Sequence, residues 1–163
     1  MTRLLSLALT SAALAGCATT TMPEPAALRT ADGRQVGTVQ LIEDRAGVTM
    51  RVNVSGLPAG THELHIHAVG RCEGPDFTSA GPHWNPTSRE HGTQNPNGPH
   101  AGDLPNITVP GTVEARLDGW RIRGGERAVV DADGAAVVLH AKADDYRTDP
   151  SGNSGDRIAC AVL

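Results

Sequence analysis

The chain has 163 residues, which is enough for one domain. Its net charge of −4 and hydrophobic content of 39% exclude a basic nucleic-acid-binding protein and a membrane protein with several spans. Aromatic residues make up only 2%, whereas the 19 glycines and 11 prolines favour many turns and a β-rich fold. All seven histidines lie between residues 62 and 140, and this clustering is the first indication of function.

The N-terminus has the pattern of an export signal. Arg3 precedes an apolar segment that is too short to span a membrane as a helix. The sequence LAGC, which ends at Cys17, resembles a bacterial lipoprotein signal, and an ordinary secretory signal is the alternative. We therefore expect residues 1–16 to be cleaved, residues 17–27 to form a flexible tether, and residues 28–163 to form the folded domain.

Export predicts a location in the periplasm or cell envelope, with a lipid on Cys17 as the membrane anchor. Ala18 stands where an aspartate would mark retention in the inner membrane, which favours the outer membrane. In an oxidising compartment the two remaining cysteines, Cys72 and Cys160, are expected to form a disulfide. A reactive thiol or a cysteine metal site is the alternative, although neither residue has a C-x-x-C neighbour.

Alternating apolar and polar residues predict β-strands throughout the domain, and no segment has a convincing helical period. The predicted strands are 28–30, 36–42, 48–54, 62–68, 107–109, 112–117, 135–141 and 158–162. This pattern favours an all-β fold, an eight-stranded antiparallel Greek-key barrel or sandwich with two long loops. The loops, residues 69–105 and 141–157, are expected to carry the functional residues.

Two histidines of one predicted strand are candidate metal ligands. His65 and His67 are two residues apart, so their imidazoles lie on the same face of a strand and can converge on one metal. Such a pair alone is weak evidence, because many are solvated or structural. His140, at the end of another predicted strand, would complete an all-imidazole site, which suits copper, zinc, iron or nickel.

The loop 69–105 holds a second and more specific set of candidate ligands. His83, His91, His100 and Asp103 lie within 21 residues of a glycine- and proline-rich segment. Three imidazoles and one carboxylate make a complete tetrahedral set for Zn²⁺. A metal bound there would also explain how a loop of this length stays ordered.

Four separated blocks of the sequence match one known family in order and spacing. They are GTHELHIHAVGRCEGPDFTSAGPHWNP (60–86), HGTQNPNGPHAGDLPN (91–106), VVLHAKADDY (137–146) and GNSGDRIAC (152–160). Together they resemble a bacterial copper/zinc superoxide dismutase over residues 28–163. The resemblance implies one copper and one zinc per chain, and disproportionation of superoxide to O₂ and H₂O₂ as antioxidant defence.

The resemblance also implies a role for each candidate residue. The implied copper ligands are His65, His67, His83 and His140, and the implied zinc ligands are His83, His91, His100 and Asp103. Arg157 corresponds to the family's cation beside the copper. His83 corresponds to the ring shared by both metals, which takes up a proton when the copper is reduced. Cys72 and Cys160 correspond to the family disulfide.

Asp144 corresponds to a carboxylate that ties one copper histidine to one zinc histidine, here His65 and His91. The sequence departs from the family where a glycine and a phenylalanine are usual, because Glu63 and Leu64 stand in their places. We expect this departure to alter packing and to touch no metal ligand.

A metal carrier on the same scaffold is the alternative to an enzyme. A degenerate carrier is expected to lack His140, His83 or Arg157, and all three are present. A purely structural lipoprotein domain has no use for two complete ligand sets. The expected partners are the superoxide anion and, through Cys17, a membrane, with no nucleic acid; a homodimer remains open.

Overall fold

The protein is described by a computed structural model that covers residues 20–21 and 24–163. The predicted signal peptide, residues 1–16, and the predicted lipid attachment site, Cys17, lie outside the described residues. Within the described part of the chain, no helix combines the length and apolar character that a membrane span needs.

Ten β-strands follow one another in the described residues. They are β1 (Thr20–Thr21), β2 (Ala26–Arg29), β3 (Gln35–Glu43), β4 (Gly47–Val54), β5 (Gly60–His62), β6 (Leu64–His67), β7 (Ile107–Val109), β8 (Gly111–Asp118), β9 (Ala136–His140) and β10 (Arg157–Val162). A single 3₁₀ turn, Thr78–Ala80, lies in the long loop between β6 and β7.

Seven of these strands form one antiparallel sheet in the order β6-β9-β10-β2-β3-β4-β8, with β1 paired to β3. The sheet curls into a half-barrel. Strands far apart in the chain, such as β2 and β10, are neighbours, as a Greek-key connection requires. Strands β5 and β7 form a separate antiparallel pair. The predicted all-β antiparallel fold is therefore confirmed.

The single strand predicted over residues 62–68 is divided between the two sheets. His62 is the last residue of β5, whereas Leu64 is the first residue of β6. Glu63 lies at the switch, and its N–H donates to the carbonyl of Lys142 (2.9 Å) instead of to a partner strand. The sequence pattern could not reveal this division, because the backbone is extended in both strands and only one residue separates them.

The first strand of the domain also begins earlier than predicted. Strand β2 starts at Ala26, and Thr20–Thr21 pairs with Ile42 and Glu43 of β3. Part of the expected tether, residues 17–27, is therefore strand, because its backbone groups pair with β3. Apart from this strand and the divided one, the bounds of the predicted strands differ from the observed ones by at most one residue.

The core consists mainly of aliphatic side chains, as the low aromatic content predicts. In β4 the apolar positions are fully buried and alternate with Arg51 and Asn53, which are exposed. The largest aromatic contact joins the two tryptophans: Trp84 and Trp120 pack edge to face with ring centroids 4.4 Å apart. Through this contact, residues from two loops pack against the main hydrophobic core.

A disulfide joins Cys72 to Cys160, as predicted, across 88 residues of sequence. It ties the long loop to β10 and packs in a small apolar cluster with Phe77 and Ala80. In the chain-entropy description, a cross-link over a loop of this length stabilises the folded state by about 4–5 kcal/mol. The disulfide therefore restrains the loop at the end opposite the candidate zinc ligands.

Candidate metal centre

Four of the predicted histidines converge at one end of the sheet. His65 and His67 are on β6, and His140 ends the neighbouring strand β9. His83 comes from the long loop and is held beside His67 by a backbone bridge. One ligand atom from each of these four residues lies within 4.8 Å of the others.

Backbone carbonyls orient two of these rings. Nδ1–H of His67 donates to the carbonyl of Gly81 (2.8 Å), and Nδ1–H of His140 donates to the carbonyl of Gly155 (3.2 Å). Because a neutral imidazole carries only one N–H, Nε2 of each ring is left with a free lone pair. Both Nε2 atoms are buried and have no hydrogen-bond partner.

The other two rings are oriented by carboxylates. Nε2 of His65 points at acidic side chains, and its Nδ1 is buried without a partner. Nδ1 of His83 lies 3.4 Å from Oδ1 of Asp103, which leaves Nε2 of His83 for the candidate copper site.

The unpaired nitrogens of this set indicate a bound cation. Leaving a buried polar atom unpaired costs about 1–3 kcal/mol, and three ring nitrogens, Nδ1 of His65 and Nε2 of His67 and His140, are unpaired in one place. Imidazole ligands suit copper.

A second set of ligand atoms surrounds Asp103. Its Oδ1 lies 3.1 Å from Nδ1 of His91 and 3.2 Å from Nδ1 of His100, and Nδ1 of His100 lies 3.3 Å from Nδ1 of His83. With Zn–N bonds of about 2.0–2.1 Å, the ligand atoms of a tetrahedral zinc site are about 3.3–3.4 Å apart. The spacing of these four residues therefore fits zinc.

His65 is also close to this second set. Its ligand atom lies within 4.8 Å of those of His83, His91 and Asp103. We nevertheless assign His100 as the fourth member, because His65 Nε2 is 3.9 Å from Oδ1 of Asp103 whereas His100 Nδ1 is at 3.2 Å. The structure thus brings together all seven ligand residues that the sequence singled out.

The backbone of the loop is folded around the second oxygen of Asp103. Oδ2 accepts the N–H of Gly92 (2.9 Å) and the N–H of His100 (3.0 Å). The N–H of His91 donates to Oδ1 of Asp149, in the other long loop (2.7 Å). These bonds orient the candidate zinc ligands and link the two loops.

Asp144 approaches one histidine of each set. Its Oδ1 lies 3.1 Å from Nε2 of His91, and its Oδ2 lies 3.6 Å from Nε2 of His65. Asn106, which the sequence did not single out, pairs with the backbone of Asp144 in both directions (2.9 and 3.0 Å). A lone loop asparagine carries no distinguishing sequence signal, so only the fold could reveal this support.

Glu63 does touch a candidate ligand, so the expectation that it affects only packing is wrong. It is fully buried, and its Oε1 is in direct contact with Nε2 of His65. Burial, together with the neighbouring Asp144, raises the pKa of the Glu63 carboxyl to about 9. Position 63 is at the switch between β5 and β6, where a side chain turns inward; the predicted continuous strand concealed this.

Burial keeps the candidate copper ligands uncharged. It lowers the pKa of His65 to about 3, of His67 to about 2 and of His140 to about 4. It also lowers the pKa of His83. Metal ligation requires neutral imidazole, so these rings are in the competent state at neutral pH.

His91 behaves in the opposite way. Burial alone would lower its pKa, but hydrogen bonds to Asp103 and Asp144 outweigh burial and raise the pKa to about 10. The same bonds hold the pKa of both carboxyls well below their usual range, although burial acts to raise them. A metal that binds His91 must therefore displace a proton.

A cleft of ≈ 780 Å³ lies against the two sets and is lined by His83, His100 and Arg157. The Arg157 guanidinium donates to the carbonyls of Phe77 (2.8 Å) and Gly81 (3.0 Å), which fixes its position. The cleft gives an anion access to the shared histidine beside a permanent positive charge.

Comparisons with known proteins agree with this geometry. A sequence model described as copper/zinc superoxide dismutase (SODC) matches residues 35–163. The chain belongs to the copper/zinc superoxide dismutase family. Family membership implies copper and zinc as its metals, and both ligand sets described above fit them.

Several bacterial relatives of this dismutase family resemble the chain over most of its length. Superoxide dismutase (Cu-Zn) 1 of Aquifex aeolicus is 40% identical over 137 residues, covering 80% of this chain and 81% of the relative. Superoxide dismutase (Cu-Zn) of Caulobacter vibrioides is 37% identical, covering 85% and 83%. The superoxide dismutase-like protein YojM of Bacillus subtilis is 37% identical, covering 98% and 94%.

Solved structures of dismutase-like proteins have the same fold. The crystal structure of a SOD-like protein from Bacillus subtilis has a TM-score of 0.78 at 39% identity, covering 85% of this chain and 97% of that one. A double mutant of a SOD-like protein from the same organism has a TM-score of 0.79 at 40% identity, covering 85% and 95%. Together with the Cys72–Cys160 disulfide, the bacterial relatives fit an oxidising compartment outside the cytoplasm.

Gly152→Ala should weaken zinc binding by about 10–100-fold, the usual effect of disturbing residues that support metal ligands. Gly152 has a φ of +61°, and a Cβ there would overlap Oδ1 of Asp144 and lie 2.8 Å from Nε2 of His91. Chelator competition measures the zinc affinity. Gly125→Ala is the matched control, because its φ is +79° but nothing lies within 4 Å of an added Cβ. Equal zinc affinities in the two variants would contradict the role of the Asp144–His91 bond.

Acid should destabilise the metal-free protein. Four histidines with lowered pKa, His65, His67, His83 and His140, bind protons in the unfolded chain near pH 6.5 but resist them when folded. Their contribution is present above pH 6.5 and is lost as the pH falls toward the folded pKa values. Glu63 acts in the opposite direction. Because its pKa is raised, the folded protein holds a proton on this carboxyl that the unfolded chain releases, which offsets the effect of one histidine.

The net uptake of nearly three protons on unfolding corresponds to a loss of about 3–4 kcal/mol in the free energy of unfolding per pH unit between pH 6 and 5. Urea unfolding of the metal-free protein at several pH values measures this slope. A free energy of unfolding that rises as the pH falls through this range would contradict the buried, neutral state of the four rings.

Proposed function

We propose that this chain disproportionates superoxide to O₂ and H₂O₂, with copper and zinc held side by side. Copper would be held by His65, His67, His83 and His140, and zinc by His83, His91, His100 and Asp103. The observation that carries this proposal is the pair of ligand sets that meet at His83, beside a cleft lined by Arg157. When bound, copper supplies one-electron redox chemistry and zinc supplies none.

Arg157 attracts and positions the anionic substrate. Its guanidinium carries a permanent charge, and two carbonyl acceptors hold it at the wall of the cleft. The cleft is also lined by a second arginine, Arg89, and by three acidic side chains, Glu90, Asp131 and Asp149, so the attraction depends on local charge and not on a positive lining throughout.

His83 is the residue placed to move a proton. Its Nδ1 faces Asp103 and the zinc set, which leaves Nε2 as the atom that can hold a proton at the cleft. Formation of peroxide requires protons, and a ring at the wall of the cleft can deliver one without admitting bulk water to the buried ligands.

We further propose that the protein works in the cell envelope. Cleavage of residues 1–16 would leave Cys17 as the first residue, with a lipid that anchors the domain to a membrane, the outer one in preference to the inner. The short export-type segment and the disulfide support this location. A homodimer is compatible with the proposal, and the native mass of the extracted protein decides it.

Metal content and activity test the proposed function directly. Protein matured in a periplasm supplied with both metals should contain one copper and one zinc per chain and should consume superoxide. A metal carrier would bind copper but leave the superoxide decay unchanged. A single metal at full occupancy would contradict the shared position of His83.

Arg157→Ala should lower the rate of superoxide consumption about tenfold or more, because it removes the charge that positions the anion. Stopped-flow decay at low salt measures the rate, with variants compared at equal copper occupancy because Arg157 shares the carbonyl of Gly81 with His67. Arg157→Lys keeps the charge and should retain more of the rate than Arg157→Ala. Equal rates in wild type and Arg157→Ala would show that Arg157 only braces the loop.

Cys17 should carry a lipid when the protein is extracted from membranes. Mass spectrometry of the N-terminal peptide measures the added mass, and Cys17→Ser is the control that should release the domain in soluble form. An unmodified Cys17 in a soluble mature chain would remove the anchor and leave the enzyme proposal intact.

A further inference from the structure

Glu63 is a fully buried acidic residue in the centre of the metal-binding end of the protein. Its backbone is fixed on both sides: its N–H donates to the carbonyl of Lys142, and its carbonyl accepts the N–H of His140, each at 2.9 Å. The side chain therefore cannot turn outward to solvent without disturbing the strands that carry the copper candidates.

The Glu63 carboxyl faces a specific nitrogen. Oε1 is in direct contact with Nε2 of His65. Among the described residues, both carboxyl oxygens and Nε2 of His65 are buried and have no hydrogen bond of ordinary geometry, so these unpaired groups face each other. If Nδ1 of His65 serves copper, the single proton of this ring must be on Nε2. That N–H then points at the Glu63 carboxyl.

Asp144 is less well placed for the same N–H. Its Oδ2 lies 3.6 Å from Nε2 of His65, beyond hydrogen-bond distance, whereas its Oδ1 lies 3.1 Å from Nε2 of His91. Oδ1 also accepts the backbone N–H of Tyr146 (2.6 Å). This second bond holds the Asp144 carboxylate in the orientation that faces His91, a candidate zinc ligand.

We propose that Glu63 is a positioning residue for copper, accepting the Nε2–H of His65 while Asp144 accepts the Nε2–H of His91. This inference rests on the proposed copper role of His65. The family resemblance assigns both hydrogen bonds, to His65 and to His91, to Asp144; here each histidine has its own acidic acceptor. An acceptor on the outer N–H of a ligating imidazole fixes the ring and makes its other nitrogen a better electron donor.

A third cation among these groups is the competing interpretation. Ligand atoms of Glu63, His65, His91 and Asp144 lie within 4.8 Å of one another. Both rings already offer their Nδ1 atoms to the copper and zinc sets, so a cation here would have to displace both remaining N–H protons. The hydrogen-bond arrangement needs no such loss, and we favour it.

The experiment compares Glu63→Gln, Glu63→Gly and Asp144→Asn in protein loaded with both metals. Gln keeps the size of the side chain and an acceptor oxygen but cannot form a carboxylate, and Gly is the residue usual in the family at this position. Glu73→Gln, which changes an exposed acid in the long loop between β6 and β7, is the matched control. Copper and zinc affinities are measured by chelator competition, together with the Cu²⁺ electron paramagnetic resonance spectrum and the copper reduction potential.

Glu63→Gln should lower copper affinity about tenfold and Glu63→Gly up to about 100-fold, with zinc affinity unchanged within about twofold. The reduction potential should rise, because a less electron-rich imidazole stabilises Cu²⁺ less than Cu⁺, and the copper hyperfine coupling should shift. Asp144→Asn should show the reverse preference, weakening zinc more than copper. Glu73→Gln should match the wild type in every measurement.

An unchanged copper affinity, spectrum and potential in Glu63→Gln would overturn the proposal, as would equal weakening of both metals. A third metal equivalent in the wild type that disappears in Glu63→Gln would overturn it in favour of a cation site. His65→Ala separates this inference from the proposed function: copper affinity retained in that variant would mean that His65 is not a ligand. Copper lost in His65→Ala but kept in Glu63→Gln removes only the role of Glu63.

Discussion

Burial of several imidazole rings in one cluster is the requirement on which the rest of this structure depends. His65, His67 and His91 are fully buried, and His140 is 3% exposed. Neighbouring rings would repel each other if charged, and their free nitrogens lack partners inside the protein. Adjacent strands β6 and β9 fix three of the four copper candidates in space, so the cluster is maintained by backbone pairing and not by contacts among the rings. Such an arrangement is stable only with a cation at its centre or at a pH that keeps the rings neutral.

The two metals depend on different parts of the fold. The copper candidates are mainly on paired strands, whereas the zinc candidates are all on one glycine- and proline-rich loop whose order depends on Asp103, the disulfide and the second loop. Rigid strands need little reorganisation when a metal binds, but a loop loses conformational freedom as it closes. A zinc ion bound to these residues would therefore order the loop that lines the cleft. In the inference proposed above, Glu63 and Asp144 are divided between the two metals in the same way.

Much of this could be read from the sequence, and the failures have physical causes. The regular alternation of β4 and the spacing of His65 and His67 predict strands and a shared face because period two is a local property. The long loop and its four ligands stand out by residue type alone. The switch at Glu63 could not be found this way, because a chain that leaves one sheet and joins another stays extended. Asn106 supports the site by bonding to the backbone of Asp144, and Gly152 supports it by leaving room for Asp144 and His91. Neither role produces a recognisable pattern in the sequence.

The cross-link between Cys72 and Cys160 also sets an order of events in biogenesis. The 87 residues between the partners include every zinc candidate, His140 and Asp144, so all of them must be synthesised before the bond can close. The long loop also contacts β6 through backbone hydrogen bonds, such as the one from the N–H of Trp84 to the carbonyl of Ile66, but these do not link it covalently to β10. In a chain exported as proposed, oxidation of this thiol pair would therefore add the covalent restraint to a loop that is already hydrogen-bonded to the sheet, after the chain has left the reducing compartment where it is made.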